Sequence, residues 1–143
     1  MMRTWLCFLA AVMALSLPSG VPAAAGGGGS PVPKGRIVSV DDLHRKWREV
    51  SEKKSGAVLL DVRTEEEFRG GHVPGAVNIS SSHPEKILKK LPDRNAEIWV
   101  HCRSGRRALA VAEYLYRHGY RNVYTVDGGV PDWEEKGYPL AVD

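Results

Sequence analysis

Cysteine is scarce in this chain: Cys7 and Cys102 are the two among 143 residues. That excludes a disulfide framework of the kind that staples small secreted folds. Long apolar runs are also lacking. "WLCFLAAVMALSL" has 13 residues, short of the roughly 20 that span a bilayer. Nor is there a strong excess of charge, since 20 Lys and Arg against 17 Asp and Glu leave a formal +3. Such a balance excludes a nucleic acid or a membrane surface as an electrostatic partner. The five histidines are scattered, and with so few thiols no metal site is expected. Internal repeats and heptad arrays are absent, so one domain with an appendage is the expected organisation.

The appendage is residues 1–25. "MMRT" carries one basic residue, the apolar run follows, and "PSGVPAAA" closes on small residues. This is the layout of a secretory signal peptide with an A-x-A-type site at Ala23–Ala25, so the domain is expected to be periplasmic or secreted. Cys7 sits inside the apolar run, unlike a lipoprotein cysteine. Cleavage removes Arg3 and Cys7, leaving a charge of +2 and one thiol. The mature fold must then rest on its core, and its single thiol is either buried and inert or reactive. Residues 26–35, "GGGGSPVPKG", read as a flexible linker.

From residue 36 to 142 strand and helix signals alternate. "IVSV" reads as a strand, and "DDLHRKWREVSEK" has Leu43, Trp47 and Val50 at helical spacing with Ser39 as its cap. "AVLLDV" is a continuous apolar run suited to a buried parallel strand. Thr64 with Glu67, and Ser82 with Glu85, match the capping-box pattern ahead of two short helices. "GHVPGAVNI", "EIWVH" and "NVYTV" supply further strands. A helix with Ala108, Val111, Ala112 and Leu115 on one face ends near Gly119, and a short helix closes the chain. The alternation implies an α/β fold with a parallel sheet and helices on both faces.

The chemistry gathers in "IWVHCRSGRRALAVAEYL". Cys102 falls where a strand stops, and a helix begins near Arg106 or Arg107. Ligands of parallel sheets bind beyond the carboxyl ends of the strands. A helix N-terminus favours an anion there, and a thiolate is an anion. Arg103, Arg106 and Arg107 act in the same direction, and Gly105 permits a tight turn that aims several amides inward. Arginines oppose the helix dipole at that end, a cost without folding benefit that points to a ligand. His101 is expected to face away from Cys102, being its sequence neighbour on a strand. His72 reads as a loop hydrogen-bonder. Asp61 and Arg63 share one strand end, as a structural pair or with Arg63 serving both structure and anion binding. Glu65, Glu66 and Glu67 suit a helix first turn and are assigned no chemistry.

"LLDVRTEEEFRGGHVPGAVNI", "VHCRSGRRALAVAEYLYRHGYRNVYTVDGG" and "VPDWEEKGYP" resemble, in order and spacing, the successive signatures of the rhodanese domain. The resemblance covers residues 37–141. It implies a central five-stranded parallel sheet and a loop cysteine, Cys102, that carries sulfur as a persulfide. The loop Arg103, Ser104, Gly105, Arg106 and Arg107, with Arg63, would bind a small anionic donor such as thiosulfate. Cyanide, a thiol or a protein thiol would accept the sulfur, with no cofactor or metal, and the domain would act as a monomer. Two other readings are a carrier module that hands persulfide sulfur to a partner and a Cys-dependent phosphatase. The phosphatase pattern His-Cys-x5-Arg is not met, because Arg107 follows Cys102 after four residues and the sixth is Ala108.

Overall fold

The computed structural model describes residues 28–143. The segment read as a signal peptide, Cys7 included, lies outside the described residues. β1 (Ile37–Val38) leads into α1 (Val40–Ser51), β2 (Val58–Asp61) into α2 (Glu65–Arg69), and β3 (Val77–Asn78) into α3 (Glu85–Lys90). β4 (Ile98–Cys102) then precedes α4 (Arg106–Arg117), and β5 (Val123–Gly129) precedes α5 (Val130–Glu135). All strand pairs are parallel, in the order β1-β5-β4-β2-β3. The expected α/β architecture with a five-stranded parallel sheet is therefore the observed one.

Side chains two apart on a strand share a face, and this period sorts the core into two layers. Leu60, Val62, Ile98, Val100, Cys102 and Val123 pack against Ile87 of α3 and against Ala108, Val111, Ala112 and Leu115 of α4. Leu59, Trp99 and Val126 pack on the other face, against Val40 and Leu43 of α1 and Trp133 of α5. β4 lies at the centre, and all five of its residues are buried. α4 and α5 follow neighbouring strands yet cover opposite faces, which opens a crevice at the carboxyl ends of β4 and β5.

Local signals decide the helix starts. Ser39 caps α1 and Thr64 caps α2, each in a reciprocal box with Asp42 and Glu67 respectively. The box expected from Ser82 and Glu85 does not form. α3 begins at Glu85 behind Pro84, with no side-chain cap. The Ser82 amide bonds to Ser80 Oγ instead, and Glu85 turns to His83 at 3.4 Å. The segment expected to be a linker also differs at its end. Val32 is buried against the α4 layer, and Lys34–Arg36 form a 3-10 turn. Ordered packing thus starts ahead of residue 36.

Candidate active site

β4 delivers Cys102 to the crevice. The strand partner of Cys102 is Gly129, and the ladder between them is irregular. From Val100 to Cys102, β4 advances two residues while β5 runs from Thr125 to Gly129. The extra length lifts Asp127 and Gly128 out of the ladder, with Gly128 at φ +102°. Gly129 then passes directly beneath the loop that leaves Cys102. A Cβ on Gly129 would lie 2.2 Å from the carbonyl oxygens of Cys102 and Arg103, so only glycine fits.

The loop closes on Gly105, which caps α4 in the left-handed region at φ +92°. Its amide donates to Cys102 Sγ at 3.1 Å. The sulfur therefore lies on an N–H at the positive end of a 12-residue helix. Cys102 itself has no exposed surface.

The other predicted residues are brought together only in part. Arg103 and Arg63 line one cavity of about 420 Å³ with Glu66, Glu67, Glu134 and the apolar Val130, Pro131 and Leu140. Ser104, Arg106 and Arg107 line a second cavity of about 450 Å³. The loop arginines do not converge on one point. A larger cavity of about 500 Å³ lies between α2 and α3, around Phe68, Asn78 and Lys86, and holds none of the predicted residues.

Arg107 has a partner that sequence reasoning missed. Its Nη1 and Nη2 donate to Glu67 Oε2 and Oε1 at 2.8 and 2.9 Å, a bidentate bridge from α4 to α2. Glu67 Oε2 also accepts from the Thr64 amide and hydroxyl at 2.9 and 3.1 Å. The Arg107 hydrogen bonds, followed by the Thr64 donors, hold the Glu67 carboxyl down at about 2 against the opposing effect of burial. The capping-box spacing located Glu67, but nothing local to α2 points to a residue 40 positions away.

Asp61 and Arg63 resolve as a buried pair. Arg63 Nε donates to both Asp61 oxygens at 3.1 Å, and Nη2 reaches Asp61 Oδ2 at 2.8 Å and Gly71 O at 2.7 Å. Asn78 Nδ2 ties the same turn, donating to the carbonyls of Asp61 and Arg63. Arg63 Nη1 has no hydrogen-bond partner among the described residues, and it belongs to the side chain that lines the Arg103 cavity. The structural pair is the reading of Arg63 that the hydrogen bonds show.

His101 lies on the face of Trp99, opposite Cys102, as expected. Its Nε2 is 3.7 Å from Asp61 Oδ2, and neither ring nitrogen is hydrogen-bonded among the described residues. Burial pushes its pKa below the ordinary histidine value, so the ring is neutral. His72 Nδ1–H donates to Phe68 O at 2.8 Å, and its backbone pairs with Ala141 in both directions. It is a loop hydrogen-bonder. Among the described residues no cluster of His, Cys, Asp and Glu could hold a metal ion, and no helix is long and apolar enough to cross a membrane.

A family model described as the rhodanese-like domain matches residues 44–136. A rhodanese-related protein from Thermoplasma volcanium is 30% identical, with a TM-score of 0.63, over 76% of this chain and 99% of that one. The E. coli structure described as rhodanese with anions is 31% identical over 62% of this chain and 100% of its own, with a TM-score of 0.53. Thiosulfate sulfurtransferase from Pseudomonas aeruginosa is 29% identical over 75% of this chain, with a TM-score of 0.64, and the match spans 20% of that longer chain. With the matched model reaching from α1 through the Cys102 loop to the end of α5, the chain belongs to the rhodanese-like domain family.

Proposed function

We propose that this domain is a sulfurtransferase in which Cys102 carries sulfur from a small anionic donor to a nucleophilic acceptor. The observation that carries the reading is the hydrogen bond from the Gly105 amide to Cys102 Sγ, at the start of α4 and the end of the central strand. Family membership and the likeness to a thiosulfate sulfurtransferase support it.

With thiosulfate as donor, the Cys102 thiolate attacks the outer sulfur. A new S–S bond forms to Sγ, the old one breaks, and sulfite leaves with the electron pair. Cyanide or a thiolate then attacks the outer sulfur of the persulfide, and the electrons of that bond return to Sγ. The result is thiocyanate or a new persulfide, and the original thiolate. No redox partner is needed, because each step exchanges one nucleophile for another. The Gly105 amide and the positive end of α4 stabilise the anionic sulfur before the first step and after the second. Arg103 and Arg106, exposed on the two cavities beside the loop, carry charges that draw an anionic donor toward it.

The apolar run Trp5–Leu17 ahead of Ala23–Ala25 supports export of the domain. Sequencing the N-terminus of protein recovered outside the cytoplasm tests it, and retention of that run would overturn it. Sulfur transfer is tested by intact mass before and after thiosulfate. The peptide holding Cys102 should gain one sulfur atom and lose it to cyanide as thiocyanate. Thiocyanate formed at an undiminished rate by Cys102→Ser would overturn the mechanism.

A further inference from the structure

Cys102 is fully buried and lines neither of the cavities beside its loop. A nucleophile so placed needs an opening, and the partition between the two cavities is the place to look. Glu67 lines the cavity of Arg63 and Arg103, while Arg107 lines that of Ser104 and Arg106. Their bidentate ion pair therefore bridges from one cavity wall to the other. Arg107 is held protonated beyond its ordinary range first by the Glu67 hydrogen bonds. It lies in the first turn of α4, the helix whose Gly105 cap donates its amide to Cys102 Sγ at 3.1 Å.

We propose that Glu67 is a specificity-determining residue: its carboxylate occupies the anion site of Arg107, and only an anion able to replace it on the guanidinium gains access to Cys102. This rests on the sulfur-transfer reading above. A carboxylate presents two oxygens to the planar fork of Arg107, and the sulfonate end of thiosulfate presents the same pair. The exchange replaces one charge-assisted pair by another, so its net cost is small. The displaced carboxylate is not stranded, because the Thr64 amide and hydroxyl already hold its Oε2. Neutral molecules offer Arg107 nothing in return, and the bridge stays closed against them. Arg107 is then less a standing donor-binding residue than one released by the donor itself.

The test compares alkylation of Cys102 by anionic iodoacetate and neutral iodoacetamide in the full chain. Peptide mass spectrometry separates Cys102 from Cys7, and thiosulfate kinetics are measured in parallel. Glu67→Gln keeps the shape and the Thr64 contacts but leaves Arg107 without its counter-charge. Iodoacetate labelling should rise about tenfold, iodoacetamide labelling much less, and KM for thiosulfate should fall, as one charge-assisted bond predicts. Arg107→Lys, which cannot hold two oxygens in the fork, should lose the preference for iodoacetate. Unchanged labelling in a folded Glu67→Gln protein, or an equal rise with both reagents, would overturn the proposal. If Glu67→Gln does not fold, the carboxyl carbon resonance of Glu67 in the unmodified protein is followed during titration with sulfate. A saturable shift supports displacement, and a static resonance overturns it. A selective rise in iodoacetate labelling without thiocyanate formation by either protein would leave the gate standing and refute sulfur transfer. Thiocyanate formation with unaltered labelling and KM would do the reverse.

Discussion

At the residue scale, the loop arginines divide by what each already holds. Arg103 and Arg106 make no side-chain hydrogen bond or ion pair among the described residues, while Arg107 is engaged with Glu67. Charge-assisted bonds to an oxyanion contribute about 1.5–3 kcal/mol when buried and less when exposed. Both side chains are exposed, so Arg103→Ala or Arg106→Ala should lower kcat/KM for thiosulfate by no more than about tenfold, with a smaller effect on uncharged donors. Equal losses for both donor types would show that these side chains only shape the loop. The Glu67 carboxyl carries a pH prediction. Its folded value of about 2 lies below the ordinary 4.5, so its contribution to stability is complete above 4.5 and is lost as pH falls through about 2. Melting temperatures of the unmodified protein and Glu67→Gln should differ most near neutrality and converge toward pH 2. A constant gap down to that pH would show that the carboxylate charge is not what stabilises. Cys102 and its glycine were legible in the sequence because strand, cysteine, glycine and helix follow one another locally. The Glu67 bridge was not, since it joins two elements whose spacing depends on the whole sheet.

At the element scale, two glycines and one cap set the loop. Gly105 sits at φ +92°, and a Cβ there would meet the Val126 carbonyl at 3.2 Å. A left-handed L-residue costs roughly 1–2 kcal/mol, so Gly105→Ala should lower stability by about that amount. Gly129→Ala should be worse, because its Cβ would collide with the backbone of Cys102 and Arg103 at 2.2 Å. Overpacking against a backbone that must move costs about 1–3 kcal/mol or more. The loop would be displaced and sulfur transfer lost even where the domain still folds. Urea unfolding and thiocyanate formation on the same preparations check this, and a Gly129→Ala protein with full activity would contradict the close approach. Thr64→Ala removes a side-chain cap and should cost about 1 kcal/mol, measurable in the same unfolding series. The Thr64 box was readable from spacing, whereas the identical spacing at Ser82 misled. Pro84 intervenes there, and the Ser80–His83 turn delays the helix to Glu85.

At the scale of the whole molecule, alternation along the chain announced the parallel sheet, and the apolar run of β2 together with β4 announced its buried centre. Strand order was not legible from local pattern, because it depends on which faces the crossover helices cover. The assembled crevice also bears on reaction class. Arg107 follows Cys102 one position earlier than in the phosphatase pattern, a shift of about 100° around a helix, and it is turned toward Glu67. The domain should therefore form thiocyanate from thiosulfate and cyanide while hydrolysing aryl phosphates negligibly. Phosphatase turnover that disappears in Cys102→Ser, without thiocyanate formation, would reverse that assignment. Strand order has a further effect, on the sequence of assembly. β5 pairs with β1 on one side and β4 on the other, so the first strand has no neighbour in the sheet until the last arrives. Closing that long-range pairing is the slow, entropically costly event in such a topology. Until β5 docks, the backbone of Gly129 that packs under the Cys102 loop is missing. In refolding from urea, loss of Cys102 labelling should therefore coincide with the slow docking of β5, and protection well before that phase would contradict this order.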